Sequence, residues 1–368
     1  MRKINSLIGS PIKRVEDPRF LRGRGEFVDD LSRDGMLHAA ILRSPVAHGR
    51  VQSVDGERAR KITGVHAVIT ASDITREMGS VPTIPIRLAP MPALQAFVQP
   101  VVAETKVRFV GEPIALVVAD SAALAEDALS AIKFNIESLP AVTDKETAET
   151  VEVSVFENVV SDTPVSYVAR RGDIAAAFGA AEYTRRERFA VHRHSGVPLE
   201  PRGIIAEWND FGDRLTIWGA AKIPFSVRAG IAGLFGMEID EIEMIENDVG
   251  GGFGMKAKLY PEYVMAAFAA KELGRPVRWI ADRTESMLAD NGARDLDHVV
   301  RMGFDAEHKL LAYHVKTLCN LGSYNSNFGQ AIQSVLFAKV LTGTYDVQPA
   351  LLEVEGFYTN TAPTDAYR

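Results

Sequence analysis

The sequence predicts an α+β protein, and three observations carry that expectation. Short apolar runs with strand character are mixed with helical patterns in no regular strand–helix alternation. Nothing repeats at a period of 20–50 residues, which sets solenoids and propellers aside, and no window approaches the roughly 18 apolar residues of a membrane span. The chain has 368 residues, 46% hydrophobic and 24% charged, a composition that suits folded globular domains and a length that suits two or three of them. With 41 Lys and Arg against 48 Asp and Glu, the net charge of -7 offers no general attraction to a nucleic-acid backbone. Residues 1–14 are basic but lack the apolar core of a signal peptide, so the expected location is cytoplasmic. The single cysteine, Cys319, has no partner for an internal disulfide and sits where a small buried thiol fits.

In chain order, residues 36–43 and 64–70 read as half-buried strands, and 113–120 as a fully buried one leading into a helix over 121–133. Five prolines between residues 79 and 100 predict a long surface excursion. The Pro-, Glu- and Thr-rich stretch over 139–165 places a domain boundary near residue 145, giving domains 1–145 and 146–368. Beyond it come a helix (172–181), strands (182–194, 203–209, 214–219) and a helix over 224–235. A strand (241–245), a helix (260–273) and a strand (276–281) form a βαβ unit. Pro261 starts that helix, and Gly274 with Pro276 stops it. Residues 282–285 read as a strand-to-helix junction capped by Asp282 or Thr284.

The strongest local signal lies inside the βαβ unit, at Gly250, Gly251, Gly252, Phe253 and Gly254. Four glycines in five positions let main-chain N–H groups approach a bound anion, with the dipole of the following helix expected to help. A tight turn is the competing reading. A P-loop fails, because Met255 and Ala257 replace its Gly and Ser or Thr. Gly252, Gly254 and Ala257 do fit the dinucleotide pattern G-x-G-x-x-A, with Asp282 as a ribose-binding acid. That leaves an NAD-binding dehydrogenase domain open, although polar residues 246–248 intervene after the strand. His192 and His194 share one face of a strand without a third ligand, so no metal site is expected. Glu200 and Arg202 read as an ion pair with each other, and no G-x-S-x-G elbow supports a serine hydrolase.

At the glycine loop the sequence resembles the molybdopterin-binding large subunits of the xanthine dehydrogenase, aldehyde oxidase and aerobic carbon monoxide dehydrogenase family. Further stretches agree in order: residues 9–17, GRGEF at 23–27, RSPVAH at 43–48, VRFVGEPIALVV at 107–118, LEPRG at 199–203, YPE at 260–262, residues 274–279 and TNTAPTDAYR at 359–368. The resemblance implies an a/b hammerhead domain followed by the first molybdenum-cofactor-binding α/β domain, truncated before the second. It implies a molybdenum–molybdopterin cofactor in its cytosine dinucleotide form. The implied reaction is oxidative hydroxylation of an aldehyde, an N-heterocycle or carbon monoxide with water, electrons passing to partner subunits that carry Fe-S clusters and FAD. The family's general base, a glutamate, belongs to the second cofactor-binding half, so the chain is expected to be inactive alone, as a fragment, a split subunit or a non-catalytic cofactor-binding half. Matched by position, Phe253 packs beside the metal and Lys222 stands where the family has a glutamine facing a metal ligand. Arg368 is the arginine of the active-site wall, and Ala257 replaces the glutamate of purine oxidisers.

Overall fold

The structure is a computed structural model and describes residues 7–86, 92–150, 154–157 and 165–367. Its main sheet has seven strands in the spatial order Ile242–Ile245, Leu215–Gly219, Gly203–Trp208, Val277–Ile280, Leu37–Arg43, Pro113–Ala119 and Val65–Thr70. Leu37–Arg43 runs parallel beside Val277–Ile280, with Leu37 opposite Val277 and Ala39 opposite Trp279. One sheet thus joins strands from both sides of residue 145, and one apolar core runs from Ile41 and Leu116 to Ile204, Phe268 and Trp279. The two stretches of chain share this core because neither set of strands covers its own apolar faces.

The βαβ unit is present, with a difference. Its strands Ile242–Ile245 and Val277–Ile280 are parallel but two other strands, each antiparallel to its inner neighbour, lie between them. The helix between them, Pro261–Leu273, has Pro261 in its first turn and ends at Gly274 in the left-handed region (φ 58°). All residues from Pro261 to Ala270 are buried, and the Trp208 indole donates to the Ala267 carbonyl at 2.9 Å. Asp282 caps helix Arg283–Ala289 by accepting from the Glu285 amide.

Strand Pro113–Ala119 is wholly buried, as its apolar run requires. The helix after it ends at Leu129 rather than 133, because Lys133–Ser138 instead pairs with Gly49–Asp55 in a three-stranded sheet with Lys106–Val107. A second, five-stranded sheet runs Val165–Arg171, Ala350–Phe357, Leu310–Asn320, Ala293–Phe304, Tyr183–His194. Cys319 is fully buried in it, and burial pushes its thiol pKa up. The proline-rich excursion is partly docked: Phe97 packs against Phe156 and Tyr358 in the second core, at ring separations of 4.9 and 4.5 Å. Residues 87–91 lie outside the described residues.

Glu112 is fully buried near this core, accepting from the Tyr324 hydroxyl (2.5 Å) and the Arg108 amide (2.6 Å). Burial outweighs these contacts and pushes its pKa up to about 7. A folded-state pKa above the unfolded value means the folded form holds the proton longer, so stability falls as pH rises from about 4.5 to 7. Glu112→Gln is expected to remove up to about 3 kcal/mol of that fall. Urea midpoints at pH 5 and 7.5 check this; an unchanged slope would show that Glu112 is charged throughout.

Candidate cofactor-binding site

The strand Ile242–Ile245 delivers the chain to Glu246, Asn247 and Asp248, and each end of the glycine loop is tied down by side chains remote in sequence. The Arg19 guanidinium grips both carboxylate oxygens of Asp248. The Glu26 amide donates to the same carboxylate at 2.8 Å, and the Asp248 amide donates back to the Glu26 carbonyl at 3.0 Å. Arg19 holds the Asp248 pKa below the ordinary carboxylate range. At the loop itself, one oxygen of Glu200 accepts from the Gly250 amide (2.7 Å) and the Lys256 ammonium (2.6 Å), bracketing the loop. A Cβ at position 250 would sit 2.4 Å from the Glu200 Cβ, so glycine is required there by close approach.

Between those anchors the backbone takes conformations that favour glycine: Gly251 has φ 95°, Gly254 φ 100°, and Phe253 adopts φ 47° despite its side chain. The turn closes through Met255 N–H to the Gly252 carbonyl (2.8 Å) and Ala257 N–H to the Gly254 carbonyl (3.2 Å). The amides of Gly251, Gly252, Phe253 and Gly254 donate to no acceptor among the described residues, and the Phe253 side chain is half exposed. The loop is therefore a rigid row of unspent donors. Gly250, expected to face a ligand, instead spends its donor on Glu200. The expected helix dipole does not reach the row, because helix Pro261–Leu273 starts seven residues past Gly254 and such a field fades within a turn.

Lys222 comes to the edge of this loop through its backbone, whose N–H donates to the Lys256 carbonyl at 2.7 Å. Its side chain is exposed and meets no carboxylate among the described residues. Beside it, the Ala221 amide donates to Glu246 at 2.9 Å while the other Glu246 oxygen is buried without a partner. Burial, and secondarily the nearby Glu200 charge, raise the Glu246 pKa to about 7. Arg368 lies outside the described residues. Ala257 is buried. His192 and His194 are exposed, and the described residues contain no group of three potential metal ligands.

The expected Glu200–Arg202 pair does not form. Arg202 is fully buried and forks onto Glu262 (2.8 and 3.3 Å) and Asp290. A buried guanidinium requires acceptors that are themselves buried, which these two are and Glu200 is not. Sequence reasoning also missed Arg19, Asp248 and Lys256 as loop supports.

Residues 157–368 match the molybdopterin cofactor-binding domain, and residues 22–140 match the a/b hammerhead domain of aldehyde oxidase and xanthine dehydrogenase. The chain belongs to the xanthine dehydrogenase and aldehyde oxidase family. It is 36% identical to the 6-hydroxypseudooxynicotine dehydrogenase complex subunit gamma of Paenarthrobacter nicotinovorans, over 98% of this chain and 45% of that one. It is 33% identical to the carbon monoxide dehydrogenase large chain of Afipia carboxidovorans, over 96% of this chain and 45% of the relative. Quinoline 2-oxidoreductase from Pseudomonas putida 86 superposes with a TM-score of 0.90 at 34% identity, covering 98% of this chain and 45% of that structure. The chain thus spans a little under half the length of these relatives. The antiparallel strand Gly203–Trp208 inside the βαβ crossover, within the stretch matched to the cofactor-binding domain, departs from the parallel sheet of a doubly wound dinucleotide fold.

Proposed function

We propose that the chain is the cofactor-cradling part of a molybdenum hydroxylase large subunit, acting with Fe-S and FAD subunits and with a second cofactor-binding half. The proposed reaction is oxidative hydroxylation, with water, of an aldehyde, an N-heterocycle or carbon monoxide. The relatives that oxidise a nicotine derivative and quinoline favour the N-heterocycle. The observation that carries the reading is the row of four unpartnered amides from Gly251 to Gly254.

A pterin cofactor in its cytosine dinucleotide form brings phosphate oxygens and ring acceptors, which need N–H donors and a backbone free of Cβ atoms. The loop fits on both counts. Gly251, Gly252, Phe253 and Gly254 would hold the group, and Gly250, through Glu200, would fix them. Because Glu200, Lys256 and Arg19 already hold the loop, binding orders little new backbone. When bound, the cofactor supplies two-electron oxidation of the substrate. This chain's residues hold it, exclude water around it and place charge.

Lys222 places that charge. An ammonium offers only donors, whereas an amide offers a donor and an acceptor, so Lys222 favours anionic oxygen at the rim, and Arg368 would pair with an anionic or carbonyl group of the substrate. Lys222→Gln in the assembled enzyme is expected to leave molybdenum content unchanged and to shift kcat/KM between neutral and anionic substrates several-fold. Equal kinetics on every substrate would remove Lys222 from the site. The function as a whole is tested by isolating the chain with its complement from molybdate-fed cells and assaying molybdenum and acid-released cytosine nucleotide. A folded complex containing neither would overturn it.

A further inference from the structure

Away from the glycine loop, a cavity of about 500 Å³ opens between the five-stranded sheet and the segment following Gly329. Its floor is Val191 and Leu296 from the sheet, and its wall is Leu336, Phe337 and Val340. This volume is in the range of small-molecule sites.

Three polar groups break the apolar lining. Gln333 is only 4% exposed, and its side-chain amide has no hydrogen-bond partner among the described residues. It sits in a turn of π-helix, Ile332–Leu336, a form concentrated at functional sites. His298 uses Nδ1 on the Thr317 hydroxyl (2.8 Å) and tilts against the Phe337 ring (5.6 Å), which leaves Nε2 uncommitted; burial favours its neutral form. Arg294 lies over the Tyr367 ring at 5.5 Å and meets no carboxylate among the described residues. Its backbone and that of Asp295 are both left-handed, at φ 69° and 65°, so two successive non-glycine residues carry strain at the cavity edge.

We propose that this cavity binds a flat aromatic carboxylate, its ring between the aliphatic floor of Val191 and Leu296 and the wall that includes Phe337, and its carboxylate taken by Arg294 and the Gln333 amide. Arg294, which meets no carboxylate, and Gln333, whose amide has no partner among the described residues, line the same cavity and select an anion, and the apolar lining selects a ring. The site shares no residue with the cofactor loop and does not depend on cofactor binding.

The test is calorimetric titration of the full 368-residue chain with 2-naphthoate and with the uncharged 2-naphthol. The expected result is saturable one-to-one binding of 2-naphthoate. Leu336→Trp, or Val340→Trp should the first fail to fold, is expected to abolish it by filling the cavity. Arg294→Gln is expected to weaken 2-naphthoate about tenfold while leaving 2-naphthol unchanged. Absence of saturable 2-naphthoate binding, or binding that survives both the Trp and the Arg294 substitutions, would overturn the proposal.

Discussion

Arg202→Ala is expected to destabilise the folded chain by about 3–5 kcal/mol, the cost of leaving buried carboxylates without their cation. Arg202 sits at the start of strand Gly203–Trp208, with no exposed side-chain surface, between the rings of Tyr260 (3.8 Å) and Trp279 (5.1 Å). It holds Glu262 and Asp290, and Glu262 also accepts from Arg43 at 2.7 Å. Arg43 in turn reaches Glu285 at 2.7 Å and the Gly111 carbonyl at 2.8 Å. Two guanidiniums thus alternate with three carboxylates across the seam where the sheet joins early and late strands. Burial alone would raise the Glu262 pKa, but Arg202 and Arg43 hold it down at about 2. Removing Arg202 leaves only Arg43 to oppose burial at Glu262, so the Glu262 pKa rises and its ionised form loses stabilisation in the folded chain. The loss is therefore largest at neutral pH and shrinks below about pH 4.5, where the unfolded carboxyls are protonated too. Arg202→Lys is expected to recover only part of it, because a point charge cannot serve two carboxylates through a planar fork. Denaturant unfolding of the three chains at pH 7 and pH 4 measures the pattern. A loss under about 1 kcal/mol at pH 7 would mean that the network is incidental to stability.

How much of this could be read from the sequence depended on whether the signal was local. Helix Pro224–Phe235 was bounded correctly because both ends are marked in the chain, by Pro224 in the first turn and by Gly236 in the left-handed region (φ 64°). The strands Ala293–Phe304 and Leu310–Asn320 were not anticipated. Their core positions, such as Leu296 and Val300 or Val315 and Cys319, are interrupted by Asp297, His298, Arg301, His314 and Lys316, so no clean apolar/polar alternation marks either strand in the sequence. At the site, the glycine loop was legible as composition, but its supports were not. Arg19 and Asp248 are 229 residues apart, and Glu200 and Lys256 are 56 apart, so nothing near either residue announces the pair. A usable signal did exist for Arg202 and Glu262. Each is a charge set in an apolar run, GIIA after Arg202 and YVMAAFAA after Glu262, and a charge in such a setting needs a buried counter-charge.

Gly252→Val is expected to empty the cofactor site without unfolding the chain, a combination that no purely structural role for the loop would give. Three of the loop glycines are held to glycine by the protein itself. Gly250 is pressed against Glu200, and Gly251 and Gly254 have φ of 95° and 100°. Substituting any of them disturbs the loop whatever it binds. Gly252 differs: its φ is not in the left-handed region, and an added Cβ would meet only the Lys256 side chain, at 3.6 Å, which is ordinary contact. If the loop were merely a tight turn, valine here would cost a few tenths of a kcal/mol and nothing else. If its amides lie against a bound pterin, the branched side chain occupies the space the ligand needs. The unfolding midpoint should therefore stay near that of the unsubstituted chain, while molybdenum per complex falls at least tenfold. Phe253→Ala gives the complementary result, partial molybdenum content with most activity lost, because it opens the site and leaves the N–H row in place. Full molybdenum occupancy with normal turnover in Gly252→Val would show that the four free amides face nothing, and the assignment of the loop would fail with it.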